Sequence, residues 1–247
     1  MLGFNGGLMG VRRVPTAGAA SGLWFQNEQS VAQRAAIWPS VQATDPDFAS
    51  VSLLLHMDGS NGSTTFTDSS SNALTVTANG NAQISTAQSK FGGASGLFDG
   101  SGDFLSFPSI SIGTSEDVTL ECWFRAASTS NLALFGDASG DNVQTFAILS
   151  GILYAFWNGN EVEAGAVSAN TWHHGAITRQ SGTIRIFLDG TLVDSSAGNT
   201  RALLIDKVGR CVNRNDFNGY IDDARITKGV ARYTASFTAP TASFPDA

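Results

Sequence analysis

The chain has 247 residues, enough for one large or two small domains. Charged side chains make up only 14% of it, against about 25% in most soluble globular proteins, while 27 Gly and 16 Phe suit a turn-rich β protein with uncharged faces. The net charge is −7 and no basic run exceeds Arg12-Arg13, which argues against binding nucleic-acid phosphates or an anionic membrane surface.

Residues 1–20 are Gly- and Ala-rich and lack periodicity, yet carry Leu2, Phe4, Leu8, Met9 and Val14. They read either as a tail or as an arm that orders against a partner chain. The arginines follow the first apolar run rather than precede it, so the pattern is not that of a signal peptide. No apolar stretch reaches transmembrane length, and membrane insertion is not expected. Next, Asn27 suits an N-cap, and Val31, Ala32, Ala35 and Ala36 suit a short helix that Pro39 ends. Trp24, Phe25, Ile37 and Trp38 flank that helix, and such an aromatic cluster outside a domain core is expected to dock on another chain. Pro39 and Pro46 bound a polar linker. Residues 1–50 are therefore expected to be an anchoring arm, a short helix and a linker.

From Val51 the texture is β. Val51–Met57 is a short apolar run followed by the turn chemistry of Asp58-Gly-Ser-Asn-Gly62. Phe98 to Phe104 surround Asp99-Gly-Ser-Gly-Asp103, and Val118–Phe124 alternates Val118, Leu120, Cys122 and Phe124 with Thr119, Glu121 and Trp123. Ile152–Trp157, Trp172–Thr178 and Thr183–Leu188 follow, and Asp189-Gly190 is a strong two-residue hairpin signal. The last strand, Phe217–Ile226, breaks its alternation at Asp222-Asp223, where one extra residue fits as a β-bulge. About a dozen short strands predict an all-β antiparallel sandwich over residues 51–228. Gly229–Tyr233 is expected to form one helical turn, within a polar extended tail over 229–247.

Few residues suggest catalysis. His173 and His174 are strand neighbours and so face opposite ways. Glu161 and Glu163 share a strand face, as paired glycosidase carboxylates would, but no Asp lies between them as in the E-x-D-x-E cluster of sandwich glycosidases. No nucleophile elbow or phosphate-cradling loop occurs. The chain is expected not to be an enzyme. Two adjacent carboxylates in an apolar strand need compensation, from arginine, backbone N–H groups or a cation. Hard cations such as calcium want several oxygen ligands. Asp222 and Asp223 are the first candidates, with Asp58 as their partner if the two ends of the domain meet. Trp157, with Asn158 and Asn160 in the adjoining turn, is the candidate sugar-binding set, because sugar faces stack on Trp and hydroxyls bond to Asn. Cys122 and Cys211 are too few and too far apart for a disulfide scaffold.

Five motifs occur in order: Phe98–Leu105, Val118–Phe124, Trp172–His174, Ile184–Gly190 and Phe217–Ile226. Together they resemble a laminin-G-like, concanavalin A-like jelly-roll domain. That resemblance implies two curved antiparallel sheets, glycan or protein binding, and often a calcium ion near the loops. The whole chain, with its Gly-rich head and the Gly22–Pro39 segment, resembles bacteriophage virion proteins. This second resemblance implies a homotrimer assembled in the host cytoplasm. Residues 1–50 would join it to other virion proteins, and the module would be displayed as a tail fibre, spike or head decoration. Its partner in the fibre role would be a host-surface glycan. The rival expectation is a free lectin or a polysaccharide-active enzyme of the same fold.

Overall fold

The computed structural model describes residues 44–136, 144–157, 159–211 and 214–247. Trp24, Phe25, Ile37, Trp38 and Asn158 lie outside the described residues, as does the expected short helix. From residue 44 onward, short apolar runs punctuated by Gly, Asn and Asp give strands rather than helices, because each run is too short to bury a helical face. The only helical element described is one 3-10 turn, Phe48–Ser50.

In chain order the strands are β1 (Val51–Leu55), β2 (Thr77–Asn79), β3 (Gln83–Ser85), β4 (Ser95–Asp99) and β5 (Phe104–Ile112). They continue with β6 (Val118–Ala126), β7 (Leu132–Gly136), β8 (Gln144–Leu149), β9 (Ile152–Trp157) and β10 (Asn160–Ala166). The last five are β11 (His173–Gln180), β12 (Thr183–Leu188), β13 (Thr191–Ser196), β14 (Leu203–Val208) and β15 (Asn218–Lys228). Among the described residues they form two antiparallel sheets. The first has the order β13-β12-β11-β6-β15-β4-β3, with β1 also paired to β15, and the second β10-β9-β8-β7-β14-β5-β2. The hairpin signal at Asp189-Gly190 holds. Ser150-Gly151, Ser181-Gly182 and Asp189-Gly190 each have positive φ at both residues, the backbone that matches strand twist in a two-residue turn.

Between the sheets lies one apolar core. Leu120, Cys122 and Phe124 of β6 and Ile221, Ala224 and Ile226 of β15 belong to it, as do Leu134, Phe146, Leu153 and Trp157 of the second sheet. Cys122 and Cys211 are both buried and are not joined by a disulfide. Arg179, fully buried at the end of β11, replaces ion pairing with oxygen contacts. Its guanidinium donates to the carbonyls of Glu116, Gly113 and Arg201 and to Asn199 Oδ1.

The outward face of the first sheet is covered by both ends of this unit. Phe244 packs with Val51, Leu54 and Phe48. The amide of Phe237 donates to Gly190 O at 2.8 Å, and that of Asp45 to Ala247 O at 2.8 Å. The sequence places 44–50 in a linker, but Asp45 is buried and belongs to the folded unit. The expected helical turn at Gly229–Tyr233 does not form. Thr119 Oγ1 donates to Val230 O and accepts from Arg232 N, and these bonds hold the segment flat against the sheet.

Candidate functional site

The β15 bulge is real. Pairing with β6 runs through Asp222 and Trp123, then shifts before Arg225 and Glu121, and Asp223 sits at φ 49°. The extra residue puts both carboxylates away from the core while Ile221 and Ala224 stay in it. Each carboxylate is compensated differently. Asp223 Oδ1 lies 2.6 Å from His56 Nδ1, and its Oδ2 accepts the Phe244 amide at 2.7 Å. Asp222 Oδ2 accepts the Lys90 and Phe91 amides at 2.7 and 3.1 Å, whereas its Oδ1 is buried without a partner. Burial pushes the Asp222 carboxyl up. The two amides pull it back, Asp223 and Asp58 add repulsion, and it settles at about 7. Burial lowers His56, but the Asp223 carboxylate outweighs this and leaves it raised.

Asp58 does meet this region. Its carboxylate packs over Gly92 so closely that a Cβ there would lie 1.9 Å from Oδ1. Asp58 and Asp222 thus flank the same turn, residues 90–92. For a calcium ion the fit is partial. These two carboxylates and the spare Asp222 oxygen suit a hard cation, but both Asp223 oxygens are engaged elsewhere. Among the described residues no group of three or more His, Cys, Asp or Glu side chains converges as metal ligands.

Arginine does not serve the bulge directly. Arg225 donates from Nε and Nη2 to Glu121 Oε1 at 2.9 and 2.8 Å, and from Nη1 to Asp45 Oδ2 at 3.1 Å. Tyr233 donates to Glu121 Oε2 at 2.9 Å, and His174 Nε2 stands 3.3 Å from the same oxygen. Burial pushes Glu121 up, but the Arg225 charge, aided by His174, holds it down at about 2. This network lies sealed beneath the C-terminal segment. The ring of Phe244 covers the Arg225 guanidinium at 3.7 Å.

The sugar-binding set requires correction. Trp157 is 1% exposed and faces the core with Leu153 and Ala155, because strand alternation sends those three inward. Asn160 Nδ2 is used up between strands, donating to Ser196 Oγ and Ala197 O at 2.9 Å each. Trp123 does point outward, but Lys90 Nζ sits 3.7 Å over its ring and the residue is 5% exposed. Tyr154 takes the opposite face of β9 from Trp157, is 6% exposed, and donates its hydroxyl to Glu161 Oε1 at 3.1 Å. Burial, and then that carboxylate, push the Tyr154 phenol up to about 12. His173 and His174 lie on opposite faces, the former 2.8 Å from Asp189 Oδ2.

A polar cleft of about 590 Å³ opens where three loops meet, within residues 100–102, 128–132 and 210–218 without 212 and 213. Ser128, Ser130, Asn215 and Asn218 line it together with Arg210 and Arg214. Arg210 grips Asp216 with two hydrogen bonds of 2.5 Å, and Asp216 Oδ2 also accepts the Gly102 amide at 2.8 Å. Burial raises the Asp216 carboxyl, but the Arg210 bonds outweigh this and hold it below its ordinary value. Among the described residues Arg214 has no such carboxylate. Its Nε is buried without a partner, and its guanidinium lies 5.9 Å from the Tyr154 ring. None of these loop residues stands out in the sequence. The available signal is a pair of arginines four apart, in an acid-rich chain, just before the strongest strand motif.

With this geometry in view, the chain was compared with known proteins. A model of the concanavalin A-like lectin/glucanases superfamily, of laminin-G type, matches residues 99–232. No curated protein matches the chain. Among solved structures, domain 4 of AbnA, a GH43 extracellular arabinanase from Geobacillus stearothermophilus, solved with arabinotriose, is similar at TM-score 0.55 and 17% identity, over 72% of this chain and 92% of that one. Botulinum neurotoxin type C, whose cell entry depends on interaction with two ganglioside molecules, is similar at TM-score 0.51 and 15% identity, over 75% of this chain and 49% of that one. A sialidase mutant from Trypanosoma rangeli with trans-sialidase activity gives 0.51 and 11%, over 80% of this chain and 33% of that one. At these identities the likeness concerns the fold. The chain spans about half of the toxin chain and a third of the sialidase.

Proposed function

Since the chain belongs to the concanavalin A-like lectin/glucanases superfamily, we propose that residues 44–247 are a glycan-binding module without catalytic activity, carried on a bacteriophage particle. The polar cleft carries the glycan reading. It is large enough for one or two sugar units, and its hydroxyl and amide side chains suit sugar hydroxyls. The similar domain solved with arabinotriose and the ganglioside-dependent toxin agree with a glycan ligand. Binding is favoured over cleavage because Asp216, the one carboxylate among the described residues that line the cleft, is already held by Arg210. Glycoside hydrolysis needs a second carboxyl group free to act as base or nucleophile.

The particle role rests on residues 1–50, whose apolar arm and Trp24, Phe25, Ile37 and Trp38 suit attachment to other virion proteins, in a trimer. The outcome would be a tail fibre or spike that binds host glycans, or a decoration that stabilises a head. A calcium ion between Asp58 and Asp222 is part of this reading, supported by the unpartnered Asp222 oxygen. A glycan array probed with the full chain tests the central claim. Saturable binding without release of reducing ends supports it, and product release would favour the polysaccharide-active enzyme. Electron microscopy of the parent particle, with this chain located, tests the virion claim. Absence of the chain from particles would leave the free lectin.

A further inference from the structure

We infer that the cleft selects an anionic sugar unit, one bearing a carboxylate, and that Arg214 is the residue that pairs with it; this rests on the cleft being the glycan site. The chain carries 14 basic and 21 acidic residues, so a cation normally finds a carboxylate nearby. Arg210 has Asp216, Arg225 has Glu121 and Asp45, and Arg232 has Asp45. Among the described residues Arg214 makes no such pair, although it is half-buried and its Nε is cut off from water without a partner there. A desolvated guanidinium edge is costly unless an acceptor completes it, and a planar carboxylate fits its fork with two parallel bonds.

The surroundings direct that acceptor into the cleft. Glu161 already accepts the Tyr154 hydroxyl, and the Arg214 guanidinium lies 5.9 Å from that Tyr154 ring. Asp216 is held by Arg210, so among the described lining residues the cleft offers an anion one uncompensated positive charge and no free negative one. Gly102 lines the cleft at φ +85°, and a Cβ there would meet nothing within 4 Å, so the loop leaves open space for a ligand. Ser128, Ser130 and Asn218 remain for the hydroxyls of the same sugar.

The test uses the full chain and isothermal titration with trigalacturonate and sialyllactose, their methyl esters, and neutral lactose. The two acids distinguish a uronate from a sialate source of the carboxylate. The inference expects one acid to bind at least tenfold more tightly than its own ester, because a hydrogen-bonded charge is worth about 10- to 100-fold. Arg214→Gln should erase that preference, while leaving the melting temperature within about 2 °C, since the lost edge bonds nothing in the protein. Arg214→Lys should restore only part of it. Equal binding of acid and ester, or a preference that survives Arg214→Gln, overturns the inference. If lactose binds and the acids gain nothing, the glycan reading stands and only the acidic selectivity fails. If no sugar binds at all, both fail.

Discussion

Replacing Arg225 with Met isolates a fully buried carboxylate, and the expected loss can be worked out twice. Glu121 would lose its 2.9 and 2.8 Å bonds from Arg225 and keep only Tyr233 and His174 beside it. Breaking one side of a buried ion pair costs about 3–5 kcal/mol. Titration gives the same scale. The Glu121 carboxyl is held at about 2 against an ordinary 4.5. A depression of that size corresponds to about 3 kcal/mol. The folded-state value is lowered, so this stability is present above pH 4.5 and is lost as the pH falls toward 2. Urea denaturation of the wild type and of Glu121→Gln should therefore show a gap of ~3 kcal/mol at pH 7 that narrows through the acid range. The double variant Glu121→Leu/Arg225→Met should cost far less than the two single losses added together, since an apolar pair leaves no stranded charge. Reasoning from the sealed network is refuted if Arg225→Met unfolds within ~1 kcal/mol of wild type, or if the Glu121→Gln gap is the same at pH 3 as at pH 7.

Three further outcomes are expected. If Asp58 and Asp222 hold calcium, the ion at about a hundred times its Kd adds ~2.7 kcal/mol, and the melting temperature rises by ~5 °C or more over a chelated sample. Identical melting curves, or a calcium shift that survives Asp58→Asn, would remove the ion from the proposal. Trp157→Ala should cost ~3–5 kcal/mol in denaturant as a cavity variant, with glycan affinity of the folded protein unchanged. Lost affinity at full stability would restore Trp157 as a ligand residue. Gly190 has φ +80°, and a Cβ there would lie 2.2 Å from Phe237 O. Gly190→Ala should thus weaken the hold on the C-terminal segment by ~1 kcal/mol or more, read as faster proteolytic trimming after Thr234. An unchanged cleavage rate would show that the segment is not held there.

The sequence was most informative where a local rule acts alone. Two-residue turns such as Asp189-Gly190 carry their geometry in their own φ preferences, so the hairpins were legible. The bulge at Asp222-Asp223 was legible too, because one extra residue in an alternating strand has to be placed somewhere. Trp157 misled because its neighbour Gly159 begins a polar turn, whereas its own orientation is fixed by the register of β9 with β8 and β10. Alternation from Leu153 would have placed it inward, and Tyr154 outward. Asp45 was hidden for a different reason. Its burial depends on Arg225 and Arg232, which lie 180 and 187 positions away, and no local pattern records such a partner. Arg214 was hidden in the same way, since only the meeting of three loops makes it part of a cleft.

The geometry of β15 joins these observations, because one strand links the cleft to the buried ion network. The strand has 11 residues, and its first, Asn218, lines the cleft. Seven positions later Arg225 binds Asp45, close to where the chain enters this unit at residue 44. At about 3.3 Å per residue, the cleft and the point of entry stand ~20 Å apart along a single strand. That strand is paired on both sides, with β6 on one edge and with β4 and β1 on the other. The cleft therefore opens at one end of β15, and the sealed Glu121–Arg225–Asp45 network lies toward the other, near residue 44.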